Sequence, residues 1–251
     1  MPPLVHSSAS TESKAHTYAL QKVFLGDSIT EITCWRPLVW TQLADANLTG
    51  SIQLVGSMNG AAACKKPAGF DAHHEGHSGI QANEVVTKIA GWVQNTKPDV
   101  VQFMLGTNDV NIGKRDDKAI VNAYTSILKS IRTANPKVYI IVSFQGGPLW
   151  TSTGRVDTSV RRHVKINKII PTQWSDKTIE AVNTQIPSWV KEHTTAESPI
   201  TIADVSRAAG YSNDMLQGDK VHPNNQGDQF IAKQLGPVLI KVIQAKLGAL
   251  A

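Results

Sequence analysis

The stretch LGDSIT, residues 25–30, decides how this chain is read. It ends the first apolar run, and its serine is followed three residues later by Glu31. That S-x-x-E spacing is the spacing of a capping box, in which serine and glutamate satisfy orphan backbone donors reciprocally. A helix running from Ser28 to Asn47 would carry Pro37 deep inside, where proline removes a hydrogen bond and clashes with the preceding turn. The long helix is therefore expected to start near Arg36, with Pro37 in its first turn. Ser28 is left on a separate turn directly after the first strand.

Working outward, five short apolar segments bounded by turn residues are expected as strands: 22–25, 52–55, 100–105, 138–144 and 200–205. Their runs are nearly continuous, which suits strands buried on both faces of a parallel sheet. Helical patterns fill the intervals at 36–46, 80–95, 117–134 and 176–194, with a last one at 225–247. This alternation argues for a three-layer α/β/α fold, a doubly wound five-stranded parallel sheet in the order 2-1-3-4-5. Residues 1–17 read as a polar tail, and 18–251 as one domain. In such sheets ligands bind outside the carboxyl ends of the strands, at the switch point beside strand 1.

Composition narrows the classes. The 251 residues are 41% hydrophobic and 18% charged, enough for a substantial core. The formal charge is +5, but the cations are spread along the chain except for Arg155, Arg161, Arg162, Lys165 and Lys168. That group is read as a solvated face, and no nucleic-acid partner is expected. No run reaches the roughly 18 apolar residues of a membrane helix. The first residues lack the basic and apolar regions of a signal peptide, so the protein is either cytosolic or supplied as a processed form.

The two cysteines, Cys34 and Cys64, fall just beyond the carboxyl ends of neighbouring predicted strands, within reach of each other. A disulfide there closes a loop of about 31 residues, worth roughly 3.5–4 kcal/mol in the chain-entropy model. Together with the Asn47-Leu48-Thr49 glycosylation triplet, it favours a secreted protein. A monomer is expected.

Three further segments gather at the crevice. His74-Glu75-Gly76-His77-Ser78-Gly79 follows the second predicted strand, Gly106-Thr107-Asn108-Asp109 the third, and Asp219-Lys220-Val221-His222-Pro223 the fifth. Strands 1 and 5 stand about 14 Å apart, and the 20-odd residues after the fifth are long enough to bring His222 back across. A serine hydroxyl needs an adjacent base, for which His222 is the candidate. Asp219 is placed to hold the other ring nitrogen, with Asp204 as a competitor for that role. The oxyanion of an acyl transfer needs preorganised donors, which the backbone N–H groups of Ser28 and Gly79 and the Asn108 amide would supply.

Gly26-Asp27-Ser28, Gly79, Gly106-x-Asn108-Asp109 and Asp219-x-x-His222 resemble, in order, the four blocks of the SGNH (GDSL) hydrolase superfamily. The extended forms GDSITE, HEGHSG, GTNDV and DxVHPN look most like carbohydrate esterase family 3, its acetylxylan-esterase-like branch. The resemblance implies a flavodoxin-like fold and a cofactor- and metal-independent serine esterase removing acetyl groups from carbohydrates. It makes Ser28 the nucleophile, His222 the base, Asp219 its orienter, and Gly79 with Asn108 the oxyanion hole. Residues 145–174 are longer and more basic than that resemblance leads one to expect. Trp35 and Trp150 lie in crevice-side loops and are candidates to stack on a sugar, with ordinary packing as the competing explanation.

Three alternatives stand beside this reading. His73, His74, Glu75 and His77 crowd together like metal ligands, though not at H-E-x-x-H spacing, and a hydrogen-bonded loop explains them better. A flavodoxin-like binding module would need no activated serine. Within the esterases, a broad small-ester or thioester hydrolase is the runner-up.

Overall fold

A computed structural model describes residues 19–61, 64–144, 176–205, 207 and 209–250. Its strands and helices alternate as the apolar periodicity requires. Strand β1 (Leu20–Gly26) leads through α1 (Ser28–Glu31) and α2 (Trp35–Asp45) to β2 (Ile52–Val55). Two short strands, β3 (Met58–Asn59) and β4 (His73–Gly76), come before α3 (Ala82–Thr96) and β5 (Val100–Met104). There follow α4 (Thr107–Asn111), α5 (Asp117–Ala134), β6 (Tyr139–Phe144), α6 (Asp176–His193), β7 (Ile200–Asp204) and α7 (Asn225–Gly248).

The parallel sheet runs β2-β1-β5-β6-β7, the doubly wound order expected. The departure lies beside β1. Its first half pairs with β2, Leu20 opposite Ile52, and its last two residues pair with β4, Leu25 opposite Glu75. β3 then adds antiparallel to β4. The sequence pattern treats His73–Gly76 as loop because HHEG has no apolar run, and only two of its residues pair with β1.

Each central strand is buried on both faces. Val23, Leu25, Val101, Phe103, Ile140 and Val142 pack towards α3, α5 and α6. Leu20, Phe24, Val100, Met104 and Ile141 pack towards α2 and α7. Lys22 breaks the apolar row on the second face. It is fully buried in β1, with Nζ 3.3 Å from the Phe24 ring centroid and donating to the Val23 carbonyl at 2.5 Å. Burial, with Arg36 nearby, holds its pKa well below the ordinary lysine value. Cys34 and Cys64 form the expected disulfide, their Cα atoms 5.4 Å apart. The tail 1–17, Trp150, the basic group from Arg155 to Lys168 and the 145–174 segment lie outside the described residues.

Candidate active site

β1 delivers Gly26-Asp27-Ser28 to the carboxyl edge of the sheet, beside β5 and β4. A side chain at Gly26 would sit 2.1 Å from Thr30 Oγ1 and 2.9 Å from the Met104 carbonyl, so only glycine lets this turn close. The helix start does not use the expected capping box. Asp27 is the N-cap, its Oδ1 accepting the Ile29 N–H at 2.9 Å, which leaves the Ser28 hydroxyl free for another partner. Burial raises the Asp27 carboxyl to about 7.

That partner is His222. Its Nε2 lies 2.8 Å from Ser28 Oγ, across 194 residues of sequence, while Nδ1 lies 2.7 Å from Asp219 Oδ2. The Nδ1 partner is Asp219 rather than Asp204, which ends β7. Asp219 Oδ1 also accepts the backbone N–H groups of Val221 at 2.9 Å and His222 at 3.0 Å. Lys220 between them adopts the left-handed conformation, φ 60°, that lets the turn fold back on its own carboxylate. Partial burial works to raise the Asp219 carboxyl, but hydrogen bonds from His222 and Val221 outweigh it and hold it below the ordinary value. Asn224 braces the turn, donating Nδ2 to the Asp214 and Leu216 carbonyls while capping α7 through the Gln226 and Gly227 N–H groups.

The Gly79 loop is fastened beside Ser28 from both ends. His77 N–H donates to the Gly26 carbonyl at 3.0 Å. Glu31, instead of closing back on Ser28, accepts the Ser78 N–H at 2.6 Å and the Ser78 hydroxyl at 2.5 Å. Gly79 has φ 80°, with nothing within 4 Å of where a side chain would begin. Its glycine is required by backbone conformation, and the space above it is open. Downstream, Asn108 Nδ2 donates to the Ile80 carbonyl at 3.0 Å, which leaves its second amide proton uncommitted to that bond. Asp109, fully buried, accepts the Ala82 N–H at 2.6 Å and the Asn83 N–H at 3.2 Å at the start of α3. A carboxylate at that helix end also opposes the positive pole of the helix dipole.

One sequence expectation is corrected here, and the hydrogen-bonded reading of the histidine-rich loop is met. Trp35 is not a stacking platform: it is fully buried in the first turn of α2, donating Nε1–H to the Ile29 carbonyl at 2.8 Å and meeting Phe24 edge-on. The histidine cluster disperses among separate partners. His73 pairs with Asp71, and His74 Nδ1 accepts the Gly76 N–H. His77 Nε2 lies 2.5 Å from Glu75 and its ring stacks on Trp92. Burial, with Arg36 nearby, lowers His74 to about 4, which keeps it neutral. Among the described residues, no group of three or more His, Cys, Asp or Glu side chains could hold a metal ion.

Arg36 was invisible as a site residue from sequence. Its buried guanidinium donates to the carbonyls of Thr30, Glu31, Gly60 and Ala72, tying the serine turn to the β3–β4 hairpin. Burial pulls its pKa down to about 10 against the opposing pull of Glu31.

Residues 24–230 match the profile of the GDSL-like Lipase/Acylhydrolase family. A crystal structure of an acetyl esterase carrying a serine-to-alanine substitution, with an acetate ion, is 55% identical, with a TM-score of 0.79. The match covers 90% of this chain and 99% of that one. A carbohydrate esterase family 3 structure from Talaromyces cellulolyticus gives the same 55% identity, coverages of 90% and 99%, and a TM-score of 0.79. A family 3 carbohydrate esterase from Clostridium thermocellum shares the fold at 22% identity and a TM-score of 0.66, covering 90% of this chain and 98% of its own. No curated protein matches the sequence significantly.

Proposed function

This chain belongs to the GDSL-like lipase/acylhydrolase family, and within it to carbohydrate esterase family 3; from that premise we propose that it removes acetyl groups from carbohydrate esters. The observation that carries the reading is the Asp219–His222–Ser28 line of contacts at 2.7 and 2.8 Å. Both lie within the hydrogen-bond reach that nucleophile, base and orienter require.

In the first step Ser28 Oγ attacks the ester carbonyl while His222 Nε2 takes its proton. Asp219 keeps the remaining ring proton on Nδ1 and stabilises the imidazolium that forms. The tetrahedral oxyanion is received by the Ser28 and Gly79 N–H groups and the Asn108 amide. The C–O bond to the sugar breaks as His222 returns its proton to the leaving alcohol. Water then repeats the sequence on the acetyl-Ser28 ester, releasing acetate. All of these groups come from one chain, so a monomer suffices. The Cys34–Cys64 disulfide supports an oxidising, extracellular setting.

The test is acetate release from acetylated xylan, acetylated monosaccharides and aryl acetates side by side, with Ser28→Ala as the control. Preference for the carbohydrates, abolished in a folded Ser28→Ala protein, is the expected result. Preference for longer acyl chains would return the reading to a broad small-ester hydrolase, and unchanged turnover in Ser28→Ala would remove the serine mechanism altogether.

A further inference from the structure

Helix α2 begins without a cap of its own. Cys34 holds the N-cap position, its sulfur is committed to Cys64, and it makes no capping hydrogen bond. The first backbone N–H groups of a helix have no intrahelical partners and need an acceptor from elsewhere. Here the acceptor comes from the far end of the chain. Asp228 Oδ2 takes the Cys34 N–H at 3.0 Å, and the same carboxylate is hydrogen-bonded by the Trp35 backbone.

Asp228 sits in the first turn of α7, six residues after His222, and is 4% exposed. Burial raises its carboxyl to about 6, against hydrogen bonds from the Cys34 and Trp35 backbone and the Thr33 side chain. If the only need were to cap α2, a serine or asparagine at position 34 would do it without burying a carboxylate. What distinguishes Asp228 is that its reach joins two elements.

Both elements carry reacting groups. The segment that Asp228 grips is stapled to the serine turn: Thr33 Oγ1 and Trp35 Nε1 both donate to the Ile29 carbonyl, at 2.6 and 2.8 Å. Arg36 Nε adds a bond to the Thr30 carbonyl at 2.7 Å. On the other side, α7 is continuous through its Asn224 cap with the turn that presents His222. Two contacts therefore bridge the same 194-residue separation, Ser28 to His222 and Cys34 to Asp228.

We infer that Asp228 is a positioning residue, tying α7 to the start of α2 so that the His222 imidazole stays within hydrogen-bond distance of the Ser28 hydroxyl. This rests on the esterase reading of those two residues. Without the tie, the His222 turn keeps its internal bonds, but its distance from Ser28 is left to helix packing alone. A drift of 1 Å between reacting groups can cost on the order of 10²-fold in rate.

The test compares wild type with Asp228→Ala and Asp228→Asn on an aryl acetate, alongside the rate of labelling by a fluorophosphonate and the melting temperature. Asp228→Ala is expected to lose roughly 10²-fold in kcat with KM unchanged, and to label more slowly by a similar factor. Asp228→Asn keeps one oxygen for the Cys34 N–H and is expected to fall between the two, at least about threefold below wild type. A lower melting temperature with wild-type kcat and labelling rate in the folded variants would leave a plain helix cap and overturn the inference. Should Asp228→Ala not fold, Asp228→Asn decides alone: wild-type kcat overturns the inference and the intermediate loss supports it. A wild-type protein that neither labels nor releases acetate overturns the esterase reading and this one with it.

Discussion

Glu31 belongs by spacing to a capping box with Ser28, yet its carboxylate is spent on the Ser78 N–H and hydroxyl, one residue before Gly79. The change of partner is chemically sensible. Asp27 already answers the open N–H at Ile29, while the Gly79 loop offers Glu31 two donors and the Ser28 N–H is left open. The Ser28 hydroxyl, spared from capping, turns to His222. Asn108 is similarly divided, one amide proton anchored on the Ile80 carbonyl and the other available to an oxyanion. Asn108→Ala is therefore expected to reduce kcat by about 10²–10³-fold, the loss seen on removing an oxyanion donor. Steady-state kinetics on an aryl acetate checks this, and a loss below about tenfold would take Asn108 out of the oxyanion set.

Among the elements, β1 is where local pattern and environment conflict. Its burial on both faces calls for a hydrophobic side chain at position 22, and the chain supplies a fully buried lysine. The folded pKa of Lys22 is depressed, so the unfolded chain binds its proton more readily than the fold does. Stability is then lost as pH falls from the ordinary lysine value towards the folded one, and regained as pH rises back through that window. Lys22→Met, which keeps the volume and drops the charge, is expected to stabilise the fold at pH 7 by about 1–3 kcal/mol. The gain over wild type should shrink between pH 7 and pH 10, read from melting temperatures across that range. A variant less stable than wild type at pH 7 would mean that the Nζ contacts with Val23 and Phe24 outweigh the desolvation. At the sheet's carboxyl edge, α4 and α3 act as one unit because Asp109 caps α3 while its neighbour Asn108 holds Ile80.

For the molecule as a whole, the Cys34–Cys64 bond closes a 30-residue separation around the region where Asp228, Arg36 and the β3–β4 hairpin meet. Replacing both cysteines by serine is expected to cost about 3.5 kcal/mol by the loop-entropy relation. For a chain of this size that lowers the melting temperature by roughly 10 °C, measured by calorimetry under non-reducing conditions. The residues along the chain determined a good deal unaided. Continuous apolar runs separated by helical periods specify doubly buried parallel strands, because any other packing would leave one apolar face wet. Pro37 separates the Ser28 turn from α2 through a steric effect confined to a few residues. Four short motifs in order single out Ser28, Gly79, Asn108, Asp219 and His222 as candidates for one site. Tertiary structure alone decided the rest. A polar strand such as His73–Gly76 forms only because β1 and β3 offer it backbone partners. Trp35, a candidate either to stack on a sugar or simply to pack, is buried against Phe24 of β1. The roles of Arg36, Glu31 and Asp228 follow from which carbonyls and N–H groups come within 3.3 Å of them. A hydrogen bond depends on distance in space, and sequence spacing reports that distance only within an element; across 194 residues only the folded chain does.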